Sequence, residues 1–315
     1  MALLVDFILF FIFAFVLARS SIWVIRSLGR ISSFMRISEF TAGFVILALA
    51  TTLPELFVGI NAALNKAPAL SLGNVIGSNI VNLTLVLGIA ILVGRGILVE
   101  SKIIRRDAFY MLLIASLPVL LMLDGRVSRF DGFILLFAFL VYMLKMLKER
   151  KMFEKPVNHY KPYGMFNSFG LFVISMILLI ISSNFLVKFA VNISRDLNVA
   201  PILIGLFLVA IGTSLPELVL GIRGVLADHK DLVMGDIIGS VVVNSTLVLG
   251  VTALIFPIIA NYTLFITSAF FMMVACLLFL AFVNTDTKLT IREGVILLML
   301  YVGFIIVEIG LNVFK

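Results

Sequence analysis

Long apolar runs alternate with short polar breaks along the whole chain, and several runs reach the ~20 residues that a helix needs to cross a bilayer. Ten such spans are predicted, centred near residues 12, 50, 82, 116, 139, 177, 213, 246, 273 and 301. The sole sizeable hydrophilic connection runs from Lys145 to Pro162 and divides them five and five. The expected fold is therefore an all-α polytopic membrane protein, with units at residues 1–148 and 166–315 joined by a cytoplasmic linker at 149–165. The first run, about Leu3 to Ala18, has its arginines after it rather than before it, the reverse of a secretory signal peptide. It is expected to remain as a first transmembrane helix.

The two units contain copies of one segment. At a constant offset of 162, residues 43–88 and 205–250 are identical at 22 of 46 positions without a gap. GFVILALATTLPEL answers to GLFLVAIGTSLPEL, and GNVIGSNIVNLTLVLG to GDIIGSVVVNSTLVLG. Five spans is an odd number, so the second unit must enter the membrane in the opposite sense to the first. The prediction is two inverted five-helix repeats, an arrangement that in secondary transporters places the substrate site near the bilayer midplane. Channels also contain inverted repeats, so architecture alone leaves the mechanism open.

Composition agrees, with 62% hydrophobic and 13% charged residues. A net charge of +7 raises the possibility of nucleic acid, but the basic residues sit at the ends of apolar runs rather than on one face of a soluble domain. They report topology instead. With the N-terminus outside, all of the 24 lysines and arginines except Lys66, Arg126, Arg129, Lys188, Arg195 and Lys315 fall on the cytoplasmic side, as the positive-inside rule requires. The expectation is a multi-pass protein of the cell membrane with both termini outside. Its surroundings are the lipid bilayer, and no obligate protein partner is inferred. The lone Cys276 lies in an apolar run, so no intrachain disulfide can form.

Candidate chemistry is concentrated in the repeated segment. Glu55 and Glu217 lie near the middle of the second and seventh spans, where a charge costs about 2.5–3.5 kcal/mol on insertion scales. No lysine or arginine is expected at that depth, which leaves a proton, water or a bound cation to compensate them. Pro54 and Pro216 lack an N–H, so the carbonyls of Ala50 and Gly212 lose their helical donors and each helix is predicted to kink or unwind. Thr51 and Thr52 precede the first proline, Thr213 and Ser214 the second. GSNIVN and GSVVVN add Ser78 with Asn82 and Ser240 with Asn244, each pair four apart on one helical face. Adjacent Gly77 and Gly239 permit close approach or local unwinding. Carboxylate, hydroxyl, amide and carbonyl oxygens without sulfur or imidazole suit hard cations such as Ca²⁺ and Na⁺, not zinc or copper. Two ionised glutamates are neutralised by one Ca²⁺ or two Na⁺, so competition for them would couple the two ions.

These paired motifs resemble the two alpha repeats of the cation/calcium antiporter superfamily, and most closely its sodium/calcium exchanger branch. The resemblance implies alternating access, with several Na⁺ moved for one Ca²⁺, three for one and hence electrogenic. It implies that Glu55 and Glu217 ligate Ca²⁺ together with Thr51 and Thr213. Thr52, Ser78, Ser214 and Ser240, with the carbonyls of Ala48 and Ala210, match residues of the flanking Na⁺ sites, and Asn82 and Asn244 match the middle site. Potassium-dependent relatives have an aspartate at the position of Asn244, so its amide argues for K⁺ independence. Proton-coupled members carry different glutamate motifs, which lowers proton coupling as an alternative.

Other residues carry weaker signals. Asp236 opens the second GDIIGS motif and is read as capping a helix N-terminus, with an entrance role as the alternative. His159 and His229 fall in predicted loops, and the basic run KMLKERKMFEK is read as an ordinary positive-inside loop. No serine–histidine pair or aspartate pair is expected at midplane. The chain is therefore not read as an enzyme, and no cofactor is called for.

Overall fold

The structure is a computed structural model that describes residues 2–34, 47–99, 102–150, 165–285 and 288–313. Arg36, positions 43–46 of the first repeat, 151–164 of the linker, His159 and Lys315 lie outside the described residues. The described chain is almost wholly helical. Its elements are α1 (Ala2–Phe34), the broken pair α2a (Leu47–Thr51) and α2b (Leu53–Leu64), α3 (Pro68–Val93), α4 (Lys102–Leu121) and α5 (Arg129–Arg150). After these come α6 (Met165–Asp196), the broken pair α7a (Pro201–Thr213) and α7b (Leu215–Leu226), α8 (Lys230–Ile255), α9 (Tyr262–Thr285) and α10 (Ile291–Val313).

Among the described residues eight helices are each long and apolar enough to cross a membrane, and α7a with α7b makes a ninth span bent by 41°. The equivalent α2b is a 12-residue apolar helix that follows the five residues of α2a. Pro54 and Pro216 occupy the second position of α2b and α7b, where a missing N–H costs nothing, and so each proline starts a new helix rather than kinking an old one.

Burial separates an inner from an outer layer. The apolar windows of α3 and α8 are 83% buried, whereas those of the other single-helix spans are 22–39% buried. α3 and α8 are thus the central helices. The outer helices turn Phe15, Leu120, Phe137, Ile174, Phe270 and Met299 outward, an apolar surface that fits lipid. α1 and α6, 33 and 32 residues long and so about 50 Å each, pack side by side, with Phe13 stacked on Phe185 at 4.7 Å.

The offset of 162 recurs in local geometry well outside the segment of high identity. α2b and α3 are followed residue for residue by α7b and α8, and in both central helices the α-helix loosens into one π-helical turn, Asn82–Val86 and Asn244–Val248. Lys66 and Asp228 take the same left-handed conformation (φ 58° and 61°) in the turns that precede α3 and α8. Lys230 stands 2.9 Å from Asp228 in the second of these turns and holds that exposed carboxyl below the usual range. Gly132 of α5 lies against the Gly250 carbonyl, and Gly294 of α10 against the Gly88 carbonyl, so matching glycines pack each outer helix on the central helix of the other half.

Capping boxes open α5 and α10 at equivalent positions. The backbone N–H and hydroxyl of Ser128 donate to Asp131, whose N–H returns a bond to Ser128 Oγ, and Thr290 with Glu293 repeats the pattern. Ser128→Ala is expected to cost about 1 kcal/mol, seen as a fall of roughly 2 °C in the thermal midpoint of the purified protein. Two short ribbons complete the fold. Ile97–Leu98, after α3, pairs antiparallel with Lys288–Leu289 before α10, and Arg126–Val127, after α4, pairs with Ile258–Ile259 after α8.

Candidate ion-binding site

The two helix breaks put hydroxyls into the interior, and each hydroxyl crosses to the central helix of the other half. Thr51 Oγ1 donates to Asp236 Oδ1 at 3.1 Å and lies 3.3 Å from Ser240 Oγ, both on α8. Thr213 Oγ1 donates to Asn74 Oδ1 at 3.1 Å and lies 3.3 Å from Ser78 Oγ, both on α3. Residues 74 and 78 correspond to 236 and 240, so the two contacts are images of one another. They place Thr51 with Ser240 and Thr213 with Ser78.

Glu55 and Glu217 sit in the first turn of α2b and α7b, where unpaired N–H groups and the helix dipole favour negative charge. Both are buried. Ser78 Oγ donates to Glu55 Oε1 at 3.3 Å, but Glu55 Oε2 and both oxygens of Glu217 have no hydrogen-bond partner. Among the described residues none of these acids is ion-paired with a lysine or arginine. Nor do three acids there gather into a single cluster able to hold a metal. A buried carboxylate without a partner is costly, so these oxygens require a proton or a cation.

The π-turns add amide oxygens. Both side-chain atoms of Asn82 and the Oδ1 of Asn244 are buried and unpartnered. Such a turn breaks the regular helical hydrogen-bond ladder, a distortion often found at functional sites. The loosening lies at these asparagines and not at Gly77, whose bare Cα instead lets α3 close on the Leu206 carbonyl of α7a.

The remaining candidates are turned differently. Thr52 Oγ1 bonds back to the Ala48 carbonyl at 2.6 Å, a carbonyl that also accepts from Thr51 Oγ1 at 3.1 Å and Thr52 N at 3.2 Å. The Ala210 carbonyl accepts from Thr213 Oγ1 at 3.3 Å and from Ser214 N at 3.0 Å, while Ser214 Oγ is buried without a partner. Asn244 is tethered, its Nδ2 donating to Asn79 Oδ1 at 3.2 Å while Asn79 Nδ2 donates to Ser245 Oγ at 3.0 Å. Asn79 has Val241 as its equivalent, so this tether exists on one side only.

Asp236 corrects the sequence reading. It does not cap a helix, because α8 starts at Lys230, which places Asp236 a turn and a half inside it, buried and bonded to Thr51. The signal that would have found it is the pairing with Asn74 across the repeat. His229 flanks the start of α8, as the predicted loop position requires, and Cys276 is buried.

Two broken helices, each carrying a buried glutamate and packed inside an apolar-surfaced helical shell, define a membrane protein with acidic groups in its interior. The chain belongs to the sodium/calcium exchanger protein family, whose model matches residues 5–148 and 167–310. It is similar to the sodium/calcium exchanger MaX1 of Methanosarcina acetivorans, 26% identical over 96% of this chain and 98% of that one. It is also similar to the putative antiporter CaxA of Alkalimonas amylolytica, at 32% identity over 86% and 88% of the two chains. Among solved structures the sodium-calcium exchanger NCX_Mj, soaked with Na⁺ and Sr²⁺, superposes with a TM-score of 0.70 at 27% identity, over 96% of this chain and 98% of that chain.

Proposed function

We propose that this chain is a secondary antiporter that exchanges Na⁺ for Ca²⁺ by alternating access, with the two ions competing for Glu55 and Glu217. The observation that carries this reading is the set of buried, unpartnered oxygens on Glu55 and Glu217, just after the two helix breaks, and on Asn82 and Asn244, at the start of the two π-turns. Thr51, Thr213 and the two glutamates form the Ca²⁺ centre. The hydroxyls of Thr52, Ser78, Ser214 and Ser240 and the carbonyls of Ala48 and Ala210 serve flanking Na⁺. Asn82 and Asn244 face the middle. Ca²⁺ and Na⁺ are substrates, and the reading involves no catalytic step and no resident cofactor.

Ten spans in two inverted repeats, residues 1–148 and 166–315, are part of the same reading. The ribbons support it: the strand after α3 pairs next to α10, whereas the strand after α8 pairs at the far end of α4. If α4 spans the bilayer, α3 and α8 leave on opposite faces. Both termini are then outside the cell membrane, with the 149–165 linker in the cytoplasm. More than two Na⁺ per Ca²⁺ makes transport electrogenic. The Asn244 amide, in place of a carboxylate, supports independence from K⁺.

Liposomes reconstituted with the purified protein test this directly. An imposed Na⁺ gradient is expected to drive Ca²⁺ uphill, at a rate that responds to a clamped membrane potential and is unchanged when K⁺ is omitted from both sides. A cation channel, the competing reading, dissipates a Ca²⁺ gradient without Na⁺ and cannot move Ca²⁺ uphill.

A further inference from the structure

Only one end of a carboxamide can hold a cation. Its oxygen is a ligand, whereas its NH₂ group only donates, so an asparagine serves an ion site when something decides which end is turned inward. The two asparagines of the π-turns differ in this respect. Both amide atoms of Asn82 are buried without a partner, but Asn244 is gripped by its nitrogen, which donates to Asn79 Oδ1 at 3.2 Å and leaves Oδ1 as the unpartnered atom.

What fixes the direction of that bond lies one step further away. Asn79 Nδ2 donates to Ser245 Oγ at 3.0 Å and to Met272 Sδ at 3.5 Å, and all three side chains are buried. A hydroxyl accepts or donates as required, so Ser245 tolerates either end of the Asn79 amide. A thioether sulfur has no proton to give and only accepts. Met272 of α9 therefore keeps the nitrogen of Asn79 on its own side, which leaves the Asn79 oxygen for Asn244, and Asn244 must answer with its nitrogen. The chain of bonds runs from Met272 through Asn79 to Asn244 and ends in a free oxygen. It has no mirror image, since the residues equivalent to Asn79 and Met272 at the offset of 162 are Val241 and Tyr110.

We propose that Asn79 is a positioning residue for the cation site: tied to Met272, it holds the Asn244 amide with its oxygen presented and its nitrogen turned away. The proposal rests on the exchanger reading and deepens it. Asn244 is a standing ligand, oriented before any ion arrives, and such pre-organisation removes part of the ordering cost of binding. Nothing but the ion itself orients Asn82.

The test is a double-mutant cycle, read as the half-saturating Na⁺ and Ca²⁺ concentrations of exchange in proteoliposomes at clamped potential. Asn244→Ala is expected to raise at least one of them. Asn79→Val, which installs the residue of the mirror position, is expected to raise the same one roughly fivefold, the weight of one neutral hydrogen bond. Combined, the two changes should do no more than Asn244→Ala alone, because Asn79 acts only through that amide. Met272→Leu, close in volume, is the second arm and serves if Asn79→Val folds poorly. Without the sulfur both directions of the Asn79 amide fit, so the competent fraction falls to about half and the half-saturating concentration rises about twofold, again only while Asn244 is present. Effects of Asn79→Val and Asn244→Ala that multiply overturn the proposal, as does unchanged half-saturation in Asn79→Val, in Met272→Leu or in Asn244→Ala. Parent protein that fails to couple Na⁺ to Ca²⁺ refutes the exchanger reading, and the positioning role falls with it.

Discussion

Glu217→Gln and Glu55→Gln are each expected to abolish Na⁺-driven Ca²⁺ transport, with a loss of roughly 100-fold or more, because uncoupling one buried charge from its counter-ion costs about 3–5 kcal/mol. The substitution keeps size and shape, and at position 55 it keeps an acceptor for Ser78 Oγ. The fold should therefore survive. Indeed the ion-free variants are expected to be at least as stable as the parent, since a neutral amide replaces a carboxyl with unpartnered oxygens. The two effects must be read together: thermal unfolding of the purified protein should rise with added Ca²⁺ in the parent and stay flat in both variants. Normal exchange by both variants would refute the site assignment.

Gly73→Val is expected to prevent assembly altogether. A Cβ at Gly73 meets the Ile202 carbonyl of α7a, and a Cβ at Gly205 meets the Leu70 carbonyl of α3, so the two backbones touch from both sides. Side chains yield to overpacking at a cost of about 1–3 kcal/mol, but here both neighbours are main chain and the cost should reach or exceed the top of that range. The measurement is the yield of monodisperse protein from membranes together with its unfolding temperature. Gly303→Ala in α10, with nothing within 4 Å of its added methyl, serves as the contrast. It is expected to be neutral or to stabilise by up to about 1 kcal/mol through helix propensity. A folded Gly73→Val protein would show that α3 and α7a can separate without harm.

The sequence made the repeated segment legible because its chemistry is concentrated in rigid motifs. Pro54 and Pro216 marked the helix breaks, whereas the pairing of Thr51 with Ser240 and of Thr213 with Ser78 was not legible, because it joins residues far apart in the chain at no repeating spacing. Beyond residues 88 and 250 the duplication continues in geometry rather than identity. Ser128 and Asp131 answer to Thr290 and Glu293, a pair of exchanges that keeps every hydrogen bond of the cap while removing every identical letter. The ribbons were invisible for a related reason: strands of two residues have no periodicity to read. Asp236 was misread because helix ends are poorly marked in sequence, and moving the start of α8 to Lys230 turns a cap into an interior group. The π-turns were likewise hidden, since the spacing of Ser78 with Asn82 was judged on a regular helix.

Thr51 bonds into α8 and Thr213 into α3, so neither half of the polypeptide owns a finished set of oxygens. Each half is an obligate complement of the other. Joining them in one chain fixes their ratio at synthesis, and it frees the two copies to diverge, because a change in one is never duplicated in its mate. The amide at 74 opposite the acid at 236, and Asn79 opposite Val241, are the marks of that freedom.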